Sequence, residues 1–382
     1  MLSDLERVKN NGTELKYIEN QTPEICLEAV RNEGYALGYV KDQTTEICLE
    51  AIRQNSYALQ FVKNQTPEIC LEAVRNEGYA LEYVKKQTTE ICLEAVRQNP
   101  YALQFVKSQT PELCMEAVKQ NAFSLKFVKE QTEDICMEAV RNNGYALRYV
   151  KNQTTEICLE AIHQDPYALQ FVKSQTPELC VEAIKRDASA LGWVRNQTAE
   201  ICLTAVRKDG NALKYVRKQT TEICLEAIRQ YPFALRFVKD QTKEICMTAV
   251  EHEGYTLQYV KDQSKDLCLA AVRENGCALC CVKKQTEDIC MEAVKEDGHA
   301  LKYVEEQIEE ICLEAIKNDI SSLQYVRKQT RELCREAIRM NPRALLYADS
   351  NLVDPSYYEM AIANNTFGKN PTEFRSQGAC QG

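Results

Sequence analysis

Histidine is nearly absent, with three in 382 residues, and tryptophan occurs once. The histidines, His163, His252 and His299, are far apart in the chain, and no glycine-rich phosphate loop, nucleophile elbow or HExxH motif accompanies them. The common catalytic signatures are therefore missing, and the expectation is a non-catalytic chain without cofactor or metal. No stretch approaches the roughly 18 apolar residues that a bilayer span requires. The opening MLSDLERVKNNG lacks the apolar core of a secretory leader, so the expected location is the cytoplasm. Basic excess is missing too. A formal net charge of -9 opposes a nucleic-acid or anionic-membrane partner, since such proteins carry a basic footprint.

What is present is repetition. The stretch QTPEICLEAVRNEGYALGYVKD, residues 21–42, recurs fifteen times head to tail as far as Ser350, without insertion or deletion. Its opening glutamine returns every 22 residues, at Gln21, Gln43, Gln65 and on to Gln329. A fixed period of this size signals a solenoid and replaces the two or three globular domains that length alone suggests with one elongated domain.

Positions are numbered here from that glutamine. Thr22-Pro23-Glu24 reads as an N-cap, a proline in the first helical position and an acid in the first turn. ICLEAV makes positions 5, 6, 7, 9 and 10 apolar, a stripe wide enough to be buried on more than one side, so a first helix is expected to run to position 12. Asn99-Pro100 and Asp165-Pro166 read as a second N-cap, whereas Glu33-Gly34 and Asp209-Gly210 read as a helix end followed by a turn. The segment YALxYVK predicts a second helix of about eight residues, about 12 Å at 1.5 Å per residue. Helices this short are marginal alone, so stacking must stabilise them. The expected fold is all-α: an α-solenoid of fifteen helix–turn–helix repeats. A 44-residue rhythm overlies it, pairing Gly34 or Gly78 with Tyr39 or Tyr83, and Ser56 or Pro100 with Phe61 or Phe105.

The ends depart from the pattern. Residues 1–20 align as a degraded repeat with Asp4 in place of the cysteine and Arg7 and Glu14 in place of alanines, which predicts an N-terminal cap. Asp354-Pro355 predicts a closing helix over 351–363, and the polar segment 364–382 is expected to be disordered.

Fifteen of the nineteen cysteines share position 6, from Cys26 to Cys334. Neighbouring helices pack about 8–10 Å apart, beyond the roughly 7 Å a disulfide allows. The column therefore reads as small buried thiols in a reducing compartment.

The signature EICLEAVRxNGYALxYVKxQT resembles the repeat of domain-of-unknown-function family 4116, over residues 21–350. That resemblance implies a source among the mimivirus group of giant viruses, or some bacteria and protists, and implies no activity. Cys277, Cys280 and Cys281, and Gln307-Ile308, depart from the pattern.

Several constellations remain. Acids at positions 4 and 8 and bases at 11 and 21 form mixed-sign columns, read as a solvated face rather than a track for a charged partner. The glutamine is read as a spine that satisfies helix-end groups. The aromatic at position 19, and Trp193 in that slot, are read as core. Cys277 and Cys281 share an α-helical face, with Cys268 or His299 as conceivable further zinc ligands, but the second ligand pair such a site needs is missing. Position 15 varies from tyrosine to Ser189, Asn211, His299 and Arg343, and positions 12, 18 and 22 vary likewise. Variation within one chain marks positions that folding leaves open. The partner-facing candidates are accordingly Tyr35, Tyr57, Tyr79, Tyr101, Gln60, Gln104, Arg148 and Trp193.

The expected role is a protein–protein interaction scaffold, viral or host-directed. Single-stranded RNA binding, one base per repeat with Lys41 and its equivalents on phosphate, and packing into a virion are the alternatives.

Overall fold

In this computed structural model residues 3–363 are described; the tail expected over 364–382 lies outside them. The contacts group into two compact units, Met1–Arg195 and Asn196–Gly382. Both are stacks of the same repeat, all-helical and without a strand among the described residues. The fold is an α-solenoid.

Each repeat opens with a ten-residue α-helix at positions 3–12, such as Pro23–Asn32 or Thr45–Gln54. The threonine before it does what its position suggests: Thr22 and Thr44 accept the N–H of Ile25 and Ile47. One extended residue then turns the chain. Glu33, at φ -147 and ψ 110, both ends the first helix and starts the second.

The second helix is not an eight-residue α-helix. It is a six-residue 3-10 helix at positions 14–19, as in Gly34–Tyr39 and Pro100–Phe105. The cause is visible in the side chains. Positions 14, 17 and 20 (Gly34, Leu37, Val40) are buried, a spacing of three that lines up on a 3-10 turn rather than an α turn. A short polar side chain at position 13 favours it, because Asn99 accepts the N–H of Tyr101 only two residues on.

Gly34 and Gly210 likewise open a 3-10 helix rather than a turn after a helix end. The glycine serves close approach: a Cβ on Gly34 would meet the Ala51 carbonyl oxygen of the next repeat at 2.6 Å. The N–H groups of Gly34 and Gly78 reach Oε1 of Gln54 and Gln98, one repeat on, at 2.7 and 2.6 Å.

The core of each unit is a set of columns. Positions 5, 6, 9, 10, 16, 17 and 20, for example Ile47, Cys48, Ala51, Ile52, Ala58, Leu59 and Val62, are almost fully buried. The described cysteines are free. Burial raises the column thiols, Cys158 and Cys224 to about 11.

The glutamine forms the spine. Gln131 Nε2 donates to the carbonyls of Leu125 in the preceding repeat and Tyr149 in its own, at 3.2 and 2.9 Å. Its Oε1 accepts the Lys151 N–H at 2.9 Å and faces the Cys136 thiol at 3.7 Å. Position 12 is tied in as well. Asn32 and Asn142 donate to the carbonyls of Lys9 and Lys119 at the end of the preceding helix, both at 2.9 Å.

At the N-terminus Asp4–Asn10 and Gly12–Tyr17 repeat the α then 3-10 order. Arg7 and Glu14, which replace core alanines, pair with each other at 2.9 Å. At the other end a helix spans Pro355–Ala363, and its Ser356 N–H is held by Asp354 at 2.9 Å.

Candidate functional site: an aromatic ladder on the 3-10 helices

Six-residue helices bring positions 15 and 19 to the surface. The aromatic at position 19 is not core. Phe61 is 38% exposed, Tyr39 43% and Trp193 45%, and Tyr83, Phe105 and Phe127 are half-buried. On a three-residue turn, position 19 lines up with position 16 rather than with the column of 14, 17 and 20; the small alanine at 16 is itself buried, and the larger ring at 19 is only partly covered. Trp193 therefore does not refill a small core.

The ring at position 15 meets the ring at position 19 one repeat on. In the first unit Tyr35–Phe61, Tyr57–Tyr83, Tyr79–Phe105, Tyr101–Phe127, Phe123–Tyr149 and Tyr145–Phe171 follow without a break. Their centroids lie 5.6 to 6.1 Å apart, at 75° to 87°. This is edge-to-face packing, worth about 0.5–1.5 kcal/mol per pair beyond burial. Position 13 of the next repeat anchors the phenols: Asn121 donates to Tyr101 Oη at 3.1 Å, and Tyr167 Oη donates to Asp187 at 2.9 Å. Burial, and then the nearby Glu77 carboxylate, holds the Tyr57 hydroxyl above its ordinary range.

All eight candidate residues fall on this face. Tyr35, Tyr57, Tyr79 and Tyr101 are rungs. Gln60 and Gln104 fold their amides onto the carbonyls of Tyr57 and Tyr101, both at 3.0 Å. The Arg148 guanidinium lies 5.3 Å from the Tyr149 and Phe171 centroids. Sequence reasoning missed the position-19 rings as partners of position 15, although aromatics at both positions in seven successive repeats, from Tyr35 to Phe171, were the available signal.

Among its described residues the second unit holds only fragments of such inter-repeat pairing, Phe233–Tyr259 and His299–Tyr325. There Cys277 and Cys281 do not share a face, because a 3-10 helix aligns i with i+3, not i+4. The Cys277 thiol faces Asp297 at 3.1 Å, whereas Cys281 faces the Tyr255 carbonyl. Burial first, then Asp297, pushes Cys277 up to about 11. No group of three possible metal ligands forms among the described residues.

His299 lies between repeats, its Nδ1 3.2 Å from Asp297 and its Nε2 3.1 Å from Ser321 Oγ. The order resembles a hydrolase triad, but the Ser321 hydroxyl donates to Asp319 at 2.7 Å. The proton a general base would take is already held by a carboxylate.

The charged columns pair with each other. Arg31 bridges Glu28 in its own helix and Glu50 in the next, both at 3.0 Å, and Arg53 reaches Glu72 at 3.3 Å. Lys63 and Lys151 donate to the carbonyls of Lys41 and Lys129 one repeat back, at 2.8 and 2.7 Å.

The family described as a domain of unknown function (DUF4116) matches residues 22–66, 66–109, 110–155, 199–243, 242–286, 264–309, 286–328 and 308–353. The chain belongs to this family. Each DUF4116 match spans about two consecutive repeats, and from residue 242 on successive matches overlap by one repeat. No curated protein matches the chain. No helix among the described residues is long and apolar enough to cross a membrane.

Proposed function

We propose that this DUF4116 chain is a non-catalytic scaffold that binds a protein partner along the aromatic ladder of its first unit. The observation that carries the reading is the unbroken run of half-exposed ring pairs from Tyr35 to Phe171. Aromatic side chains supply large, stiff contact area and dominate binding hot spots, and here folding already orders them. The position-21 amines that an RNA reading would aim at phosphate donate instead to backbone carbonyls. We extend the reading to a host-directed protein working in the host cytoplasm, an extension that rests on the viral source implied by the resemblance of the repeat signature.

Affinity capture of the tagged chain from native cells, with and without nuclease, tests it. A protein partner that survives nuclease and is lost in the Tyr57→Ala/Tyr101→Ala variant is the expected result. Capture that depends on nuclease-sensitive material, or that ignores the substitutions, overturns it.

A further inference from the structure

The ladder is not uniformly covered, and the covering group is always a cation. Lys126 Nζ sits 4.4 Å from the Phe127 centroid and 5.1 Å from that of Tyr101. Arg148 spans Tyr149 and Phe171. In the second unit Lys214, Arg236 and Lys302 lie over Tyr215, Phe237 and Tyr303 at 4.5 to 4.6 Å. All five cations come from position 18, as does Lys16, which lies 4.5 Å from the Tyr17 centroid in the N-terminal cap. That position is a seat for positive charge on the ring faces, as cation–π attraction requires.

In the first four repeats the seat holds no cation. Its residues are Gly38, Gln60, Glu82 and Gln104. Gly38 shows how close the seat lies: a Cβ there would meet Phe61 Cδ1 at 3.2 Å. The amides of Gln60 and Gln104 are bonded back to their own helices. The charged side chains that positions 13 and 18 carry in these repeats, Glu33, Glu77 and Glu82, are all acidic.

We propose that the rungs from Tyr35 to Phe105 bind an extended basic peptide, whose arginine or lysine side chains take the seats that position 18 leaves empty there. This rests on reading the ladder as the partner-facing surface. Spacing gives the peptide's pattern. Stacked helices lie about 8–10 Å apart, and an extended chain in the polyproline II form advances about 3.1 Å per residue with three residues per turn, so a basic residue at every third position stays on one face and matches successive repeats.

The test is fluorescence anisotropy of the full chain with a labelled twelve-residue peptide repeating Arg-Ser-Gly. Its Glu-Ser-Gly counterpart and a twenty-nucleotide oligouridylate are run alongside. The arginine peptide binds and the acidic one does not. Gln60→Lys/Gln104→Lys fills two seats with a residue that position 18 carries natively at Lys126, so folding is kept. Binding weakens about fivefold or more. Asn64→Lys/Ser108→Lys adds the same charge at position 22, away from the seats, and leaves affinity within about twofold. Lys126→Gln/Arg148→Gln opens two further rungs and tightens binding.

Equal weakening by the two lysine pairs overturns the proposal, since it reduces the effect to net charge. So does oligouridylate that binds more tightly than the peptide and tightens further with Gln60→Lys/Gln104→Lys. A cell partner still lost on Tyr57→Ala/Tyr101→Ala, with the arginine peptide ignored, overturns the basic-peptide assignment and leaves the scaffold standing.

Discussion

Ser124 and Ser322 occupy the position that alanine holds in most repeats, fully buried, with hydroxyls that have no hydrogen-bond partner. Each is a desolvated polar group left unpaired, and removing it costs nothing in packing. Ser124→Ala is expected to stabilise by about 1 kcal/mol, read as a higher urea midpoint at unchanged slope. Gln131 is the opposite case. Its amide serves three backbone groups, so Gln131→Ala strands two carbonyls and an N–H. The expected loss is about 2–3 kcal/mol, measured in the same titration. The glutamine was legible in the sequence because an amide at a tight corner has obvious local work. The orphaned serines were not, since a serine in an alanine slot reads equally well as bonded or bare. The His299–Ser321–Asp297 grouping was also hidden: its members sit at positions 13 and 15 of adjacent repeats, the serine 22 residues from the histidine.

At the scale of the element, caps decide how well each short helix starts. Ile308 stands where the other repeats carry threonine or, at Ser264, serine, and the helix Glu309–Asn318 has no side-chain cap. Ile308→Thr supplies the missing acceptor and is expected to add about 1 kcal/mol, checked by thermal melting and by amide exchange within Glu309–Asn318. The first helix was readable to the residue, because Thr-Pro-Glu marks its start and the apolar stripe its length. The second was misread because six residues give too few turns to tell one helical period from another. The buried triplet at 14, 17 and 20 held the answer. That misreading placed the position-19 rings inside, and with them half of the ladder.

Across the whole molecule, small identical terms accumulate. Every described position-6 thiol from Cys26 to Cys334 is shifted upward, chiefly by burial, with Cys158, Cys224, Cys290 and Cys312 at about 11 against an ordinary 9.0. A thiol whose folded value is raised contributes fully below its unfolded value and loses that contribution as pH climbs through the folded one. The unfolded chain releases these protons from about pH 9, while in the native chain these four hold them to about 11. Stability is therefore expected to fall steeply over that window, visible as a falling urea midpoint, and replacing several column cysteines by alanine flattens the fall. The hydrogen-bonded spine has a different consequence, one for ancestry. Because each glutamine joins its neighbour through backbone groups common to every repeat, one joint is interchangeable with another. Loss or gain of a whole repeat reconnects identical partners, whereas a one-residue slip leaves a glutamine facing the wrong carbonyl. Length in such chains is thus heritable only in steps of 22 residues, or of 44 where the glycine–glutamine pairing must also be kept, and fifteen copies without a single inserted residue are the trace of that constraint.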